Sequence, residues 1–114
     1  MSNSFEFLKE LSAKINSDET KKKSLVQFSG KAFQFKLNEG ESFYIKFGSD
    51  GSISVEKGEI TSPTATVTAS DSLLVDLING KADPVKSFFM GKLKVSGDLM
   101  QAQKLVNEVK KLIQ

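Results

Sequence analysis

The chain has 114 residues, 39% hydrophobic and 26% charged, with a formal net charge of +2, a balance that suits one folded domain over residues 1–114. It contains no His and no Cys, which removes thiol nucleophiles, imidazole bases and the usual zinc ligand sets. Every basic residue is Lys, so the planar guanidinium fork that reads base edges is missing and nucleic acid is not an expected partner.

No run approaches the roughly 20 consecutive apolar residues of a membrane span. The stretch Met1 to Lys9 lacks the basic-then-apolar order of a secretory signal, and Leu112-Ile113-Gln114 does not match a peroxisomal address. With no disulfide framework either, the expected compartment is the cytoplasm.

Phe5, Phe7, Leu8, Leu11 and Ile15 recur at helical spacing, predicting an amphipathic helix over Ser4 to Asn16. Ser17-Asp18 reads as the N-cap of a second helix, Glu19 to Phe28, with Leu25, Val26 and Phe28 as its apolar side and Gly30 as its stop. The period then changes. Phe33, Phe35 and Leu37 alternate with Ala32, Gln34 and Lys36, placing large side chains on one face of a strand. After a turn at Asn38-Glu39-Gly40, Phe43, Ile45 and Phe47 repeat the pattern, and Gly48-Ser49-Asp50-Gly51 connects to a third strand through Ile53 and Val55.

Pro63 blocks further ladder pairing, and Ala65, Val67 and Ala69 alternate with threonines as a fourth strand whose buried face is small. Ser70 or Asp71 caps a helix carrying Leu73, Leu74, Val75, Leu77 and Ile78, and Asp83-Pro84 starts a short helix ending at Phe88-Phe89-Met90-Gly91. Leu93 and Val95 form a fifth strand before Gly97. Asp98 caps a last helix with the stripe Leu99, Ala102, Leu105, Val106, Val109, Leu112 and Ile113.

Each strand has one apolar and one polar face, so the expected fold is a two-layer α+β domain, its sheet covered by helices on one face and wet on the other. Opposite the thin fourth strand the helices bring more apolar surface than one face can hide, including the contiguous Phe88, Phe89 and Met90. That excess is met by ordinary core packing, by a partner protein or by an apolar ligand. A void of about 300 Å³ left empty costs on the order of 7 kcal/mol, comparable with the whole stability of a small domain, so a large cavity here is collapsed, watered or filled.

The second half resembles the sterol carrier protein 2 family. The match runs through Gly80-Lys81-Ala82-Asp83-Pro84 and Phe88-Phe89-Met90-Gly91-Lys92-Leu93-Lys94-Val95-Ser96-Gly97-Asp98, with Ala65 to Ser72 like the family's fourth strand and the helix that follows it. Gly30 to Gly51 is similar to its opening hairpin. The resemblance implies a five-stranded mixed sheet, made of a three-strand meander, a crossover and two further strands, with an apolar tunnel between sheet and helices. It implies as ligand a fatty acid, fatty acyl-CoA, sterol or phospholipid. It places Phe88, Phe89, Met90, Leu99 and Met100 near that tunnel and Leu74, Leu77 and Ile78 on the other helical wall; strand parity adds Phe33, Phe35, Phe43 and Ile45. Met90 and Met100 stand out among these because a thioether adapts to varied apolar partners.

The run Lys21-Lys22-Lys23 offers transient contact with an anionic membrane surface or with a coenzyme phosphate, or is a solvated helix face. Asp71, Asp83 and Asp98 are explained by helix capping. The leading expectation is therefore a non-enzymatic carrier with no cofactor. The alternative is an interaction or accessory module of lipid metabolism that uses the same groove, and an acyl-transfer enzyme ranks behind both.

Overall fold

Helix starts are where this chain's short polar side chains act first. In the computed structural model, which describes residues 2–113, helix α1 spans Asn3–Asn16. Ser2 Oγ accepts from the Phe5 N–H at 3.3 Å, and the Asp71 carboxylate accepts from the N–H groups of Asn3 and Ser4 at 2.9 and 2.8 Å. These satisfy three of the four N–H groups that a helix start leaves without an intrahelical partner. Asp71 thus does not cap its own helix, α3 (Asp71–Ile78); Ser70 does, accepting from Leu73 N–H at 3.1 Å. Partial burial pushes the Asp71 carboxyl up, but the N–H groups of Ser4 and Asn3 that it accepts from outweigh it, so the group sits below its ordinary 3.8.

Glu19 to Phe28 is not one helix. Helix α2 (Glu19–Ser24) stops early and a 3-10 turn, Val26–Phe28, follows. Ser24 Oγ donates to the Lys21 carbonyl at 2.7 Å, and from Leu25 onward the N–H groups bond three residues back, Leu25 to Lys22 and Phe28 to Leu25. The tightened pitch aligns Leu25 and Phe28, both fully buried, and leaves Val26 42% exposed, so Val26 is not part of the apolar side. Lys22 reaches Glu19 at 3.1 Å and Asp50 at 3.3 Å, which ties α2 to the hairpin. The Asp50 carboxyl is lowered to about 2, first by the hydroxyl and N–H of Ser52 and then by Lys22. Gly51 sits at φ +85° in this turn, against the Lys22 carbonyl, where any Cβ would collide.

The strands are β1 (Ala32–Leu37), β2 (Ser42–Phe47), β3 (Ile53–Lys57), β4 (Ala65–Ala69) and β5 (Lys94–Gly97), in the sheet order β3-β2-β1-β4-β5. Pairing is antiparallel throughout except β1 with β4, which run parallel with Phe35 opposite Val67. The sheet is therefore mixed and open, as expected, with β1 at its centre. Leu93 is buried just before β5 rather than within it.

The face away from the helices is not simply wet. To reach a parallel partner, the chain after β3 crosses that face, and Gln34, 2% exposed, holds it there. Its Nε2 donates to the carbonyls of Phe43 and Gly58, both at 2.9 Å, and its Oε1 accepts from Ile60 N–H at 2.8 Å. Lys36 pairs with Glu59 at 3.4 Å on the same side.

On the other face the core is built around phenylalanines. Phe28, Phe33 and Phe47 meet with centroids 5.3 to 6.1 Å apart, and Phe43 stacks on Phe35 at 5.2 Å and meets the edge of Phe5 at 5.4 Å. Helices α1, α3 and α5 (Leu99–Ile113) cover this layer, and the short α4 (Pro84–Phe89) lies beyond it.

Candidate functional site

Between β1, β4, β5 and the helices α3 and α5 the side chains do not close. A cavity of about 690 Å³ remains, opening to solvent between the α3–α4 segment and α5. Phe33, Phe35 and Ile45 contribute from the large-residue strands, Val67 and Val95 from the thin half of the sheet, and Ala102, Leu105, Val106 and Val109 from α5. The cause is the uneven bulk along the sheet. Phe33 and Phe35 prop the helices at one height, whereas β4 offers only Ala65, Val67 and Ala69 beneath the same layer. Being open to solvent, such a volume is filled by water unless a ligand displaces it.

Of the twelve residues named from the sequence, Phe33, Phe35, Ile45, Leu74, Leu77, Ile78, Phe88 and Leu99 line this cavity. Phe43 does not: it shares the parity of Ile45 but is spent on Phe5 and Phe35 within the packed core. Phe89, Met90 and Met100 do not line it either, and stand 80%, 56% and 66% exposed. A six-residue helix lying over an opening has no second apolar surface to receive Phe89 and Met90, so the excess apolar surface there faces water.

The mouth carries the polar groups that strand parity could not reveal. Gln103, Asn107 and Lys110 follow one another at i, i+4 and i+7 on α5, flanking its apolar stripe, and Lys81 and Asp83 face the opening from the α3–α4 segment. That helical spacing was legible; which flank of α5 meets the opening was not. The Lys81 and Ala82 N–H groups both bond to the Asp76 carbonyl, at 2.8 and 3.1 Å, which fixes the segment. The Asp83 carboxylate is committed to the N–H groups of Val85 and Lys86, at 2.9 and 3.4 Å. The Ser87 carbonyl accepts from Lys92 and Leu93 N–H and anchors the far end of α4. Lys81, Asp83 and Lys110 are thus the ionisable lining groups, and no cluster of three or more carboxylates among the described residues could hold a metal ion. No described helix is long and apolar enough to cross a membrane.

An open mixed sheet under a helical layer, with an apolar cavity between them and a polar rim, is the form of a domain that binds a small apolar molecule. The chain belongs to the SCP-2 sterol transfer family, whose model matches residues 8–110. It is 35% identical over 86 residues to Sterol carrier protein 2 of Gallus gallus, covering 72% of this chain but 16% of that protein. It is 46% identical over 61 residues to Peroxisomal multifunctional enzyme A of Dictyostelium discoideum, covering 54% of this chain and 13% of that protein. The chain thus spans less than a fifth of each of these relatives. Among solved structures, the sterol carrier protein domain 2 of Helicoverpa armigera superposes with a TM-score of 0.75 at 27% identity, over 96% of this chain and 90% of that one.

Proposed function

We propose that this domain is a cytoplasmic carrier that takes up one amphipathic lipid, a fatty acid, fatty acyl-CoA, sterol or phospholipid, and performs no covalent chemistry on it. The observation that carries this reading is the 690 Å³ cavity, whose walls are aliphatic and aromatic and whose polar groups are gathered at the mouth. Its size falls within the roughly 300–1,000 Å³ of small-molecule sites. A buried sixteen-carbon chain gains about 0.8 kcal/mol per CH₂, above about 10 kcal/mol gross, and ordering costs leave affinity in the micromolar range or tighter. Lys81 and Lys110, at the rim, would face a carboxylate or phosphate headgroup.

The lining supports the non-enzymatic reading. Its one carboxylate already caps α4, and no nucleophile with a neighbouring base is among the lining residues. The match to a segment of a multifunctional enzyme supports a second reading, an accessory module that presents lipid to, or docks against, a separate catalytic domain.

The test is titration of delipidated protein with fluorescent fatty acid, acyl-CoA and sterol, alongside native mass spectrometry of the protein as purified. Saturable one-to-one binding of at least one class is expected; no saturable binding to any of them defeats the carrier reading.

A further inference from the structure

The polar groups of the cavity mouth are graded along it. On the α5 side the lining runs from Leu99 in the first turn to Lys110 in the last, about 16 Å at about 1.5 Å per residue. In that order it passes from apolar, through the amides of Gln103 and Asn107, to a cation. At the cationic end the two sides of the mouth meet. A Cβ at Gly80 would lie 3.6 Å from Lys110 Cε, so the partly buried Lys110 stem crosses to the α3–α4 segment, beside the residue that precedes Lys81. The Lys81 N–H is held there by the Asp76 carbonyl at 2.8 Å.

The charge at this end is not balanced. Lys81, Asp83 and Lys110 are the ionisable groups of the lining, and neither lysine pairs with a described carboxylate. Asp83 accepts from the N–H groups of Val85 and Lys86, which draws its charge toward the start of α4. Lys111, next to Lys110 on α5, has an acid of its own, Glu108 at 3.5 Å, and does not line the cavity. A cation in the last turn of a helix is accounted for by the helix dipole alone. That does not account for a lysine laid across a cavity mouth against Gly80, with a second lysine facing the same opening.

On the carrier reading, whose ligand class this narrows, we infer that Lys81 and Lys110 select the headgroup, so that the cavity takes a long-chain lipid ending in a carboxylate or phosphate over the same chain ending in a hydroxyl. The reason lies in the sign of two opposed effects. An apolar cavity with no cation at its mouth favours the alcohol, because removing water from an anion costs more than removing it from a hydroxyl. Two ammonium groups reverse that order by giving the anion charge-assisted hydrogen bonds in place of the water it loses. A hydroxyl gains only what Gln103 or Asn107 offers, a bond of the kind that water already made.

Dodecanoate, dodecyl phosphate and 1-dodecanol share one chain and differ in the head. Calorimetric titration of delipidated protein compares them at about pH 8, where the carboxylate is ionised. At low salt at least one anion should bind about tenfold or more tightly than the alcohol, by a margin that shrinks as salt rises; whichever anion binds tighter names the head. K81Q/K110Q should lose about fivefold per lysine toward that anion, roughly twentyfold in all. Its affinity for 1-dodecanol should equal that of the wild type, which also shows that the variant folds with its cavity open. K104Q, on α5 but outside the lining, should change neither. Wild-type protein that binds 1-dodecanol as tightly as both anions overturns the headgroup assignment and leaves the carrier reading standing. So does anion affinity that survives K81Q/K110Q, or a variant that loses the alcohol in equal measure. Failure of all three ligands, and of a fluorescent sterol, removes the carrier reading itself.

Discussion

Replacing Val67 with phenylalanine separates a real cavity from a packed interior by the sign of the effect. Val67 lies on β4 between Phe35 and Val95, facing the helices and lining the cavity. Phenylalanine adds about four CH₂ equivalents there, worth roughly 3 kcal/mol gross at about 0.8 kcal/mol each. Displaced water and rotamer restriction reduce this to a net stabilisation of about 1–2 kcal/mol. At roughly 4–8 °C per kcal/mol for a domain near this size, thermal unfolding of delipidated V67F should rise by about 5 °C or more. Ala65 is the control, on the same strand and face but 1% exposed and closely packed. A65F should destabilise by about 1–3 kcal/mol or more, as overpacking does. The ring at 67 also takes space from the ligand, so affinity for a long-chain fatty acid should fall about a hundredfold, the equivalent of some 3 kcal/mol. Calorimetry and a fluorescence titration read the two effects. Destabilisation of V67F like that of A65F would mean there is no room at this position; stabilisation with unchanged affinity would mean the cavity is not where the lipid goes.

Q34L tests the crossover on the opposite face. It removes the amide that meets Gly58 and Ile60 and leaves their polar groups under-satisfied, so the urea midpoint should fall by the equivalent of about 2 kcal/mol with lipid affinity unchanged; a neutral effect would show that the crossover is held by something else. Asp71 gives a pH signature. Its carboxyl titrates below 3.8 in the fold, so the folded state binds that proton less readily than the unfolded chain does. Its stabilisation is complete above the unfolded value and is lost as pH falls through the folded one. D71N should therefore be less stable at neutral pH by about 1 kcal/mol and lose part of the wild-type acid slope; an acid slope equal to that of the wild type would show that the carboxylate does not hold α1. Asp50, also depressed, contributes equally to both proteins and cancels in the comparison.

The residues that the sequence grouped as one site fall in two places. The cavity takes its walls from strand parity and from the stripe of α5, whereas the residues that looked most like ligand contacts by composition, Met90 and Met100, lie outside on the surface. A contiguous Phe-Phe-Met at the end of a short helix carries no information about which neighbour each side chain meets, because successive helical residues point about 100° apart. Phe43 lies off the cavity for a different reason: period-two alternation assigns a face, but not whether the space above that face is already occupied by Phe5, whose helix lies far away in sequence.

Local chemistry alone determined the order of elements, the faces of the strands and most of the caps, because each of these depends on residues within a turn or two of one another. Ser70 before α3, Asp83-Pro84 before α4 and the alternation of Phe33 with Gln34 could be read directly. Tertiary structure decided what depends on distant segments meeting: the parallel pairing of β1 with β4, the burial of Gln34 beneath the crossover, the capping of α1 by Asp71, and the flank of α5 that faces the opening. The cavity belongs with these. Its volume is the difference between the shell that the phenylalanines hold apart and the small side chains of β4 inside it, and no single stretch of sequence contains both terms.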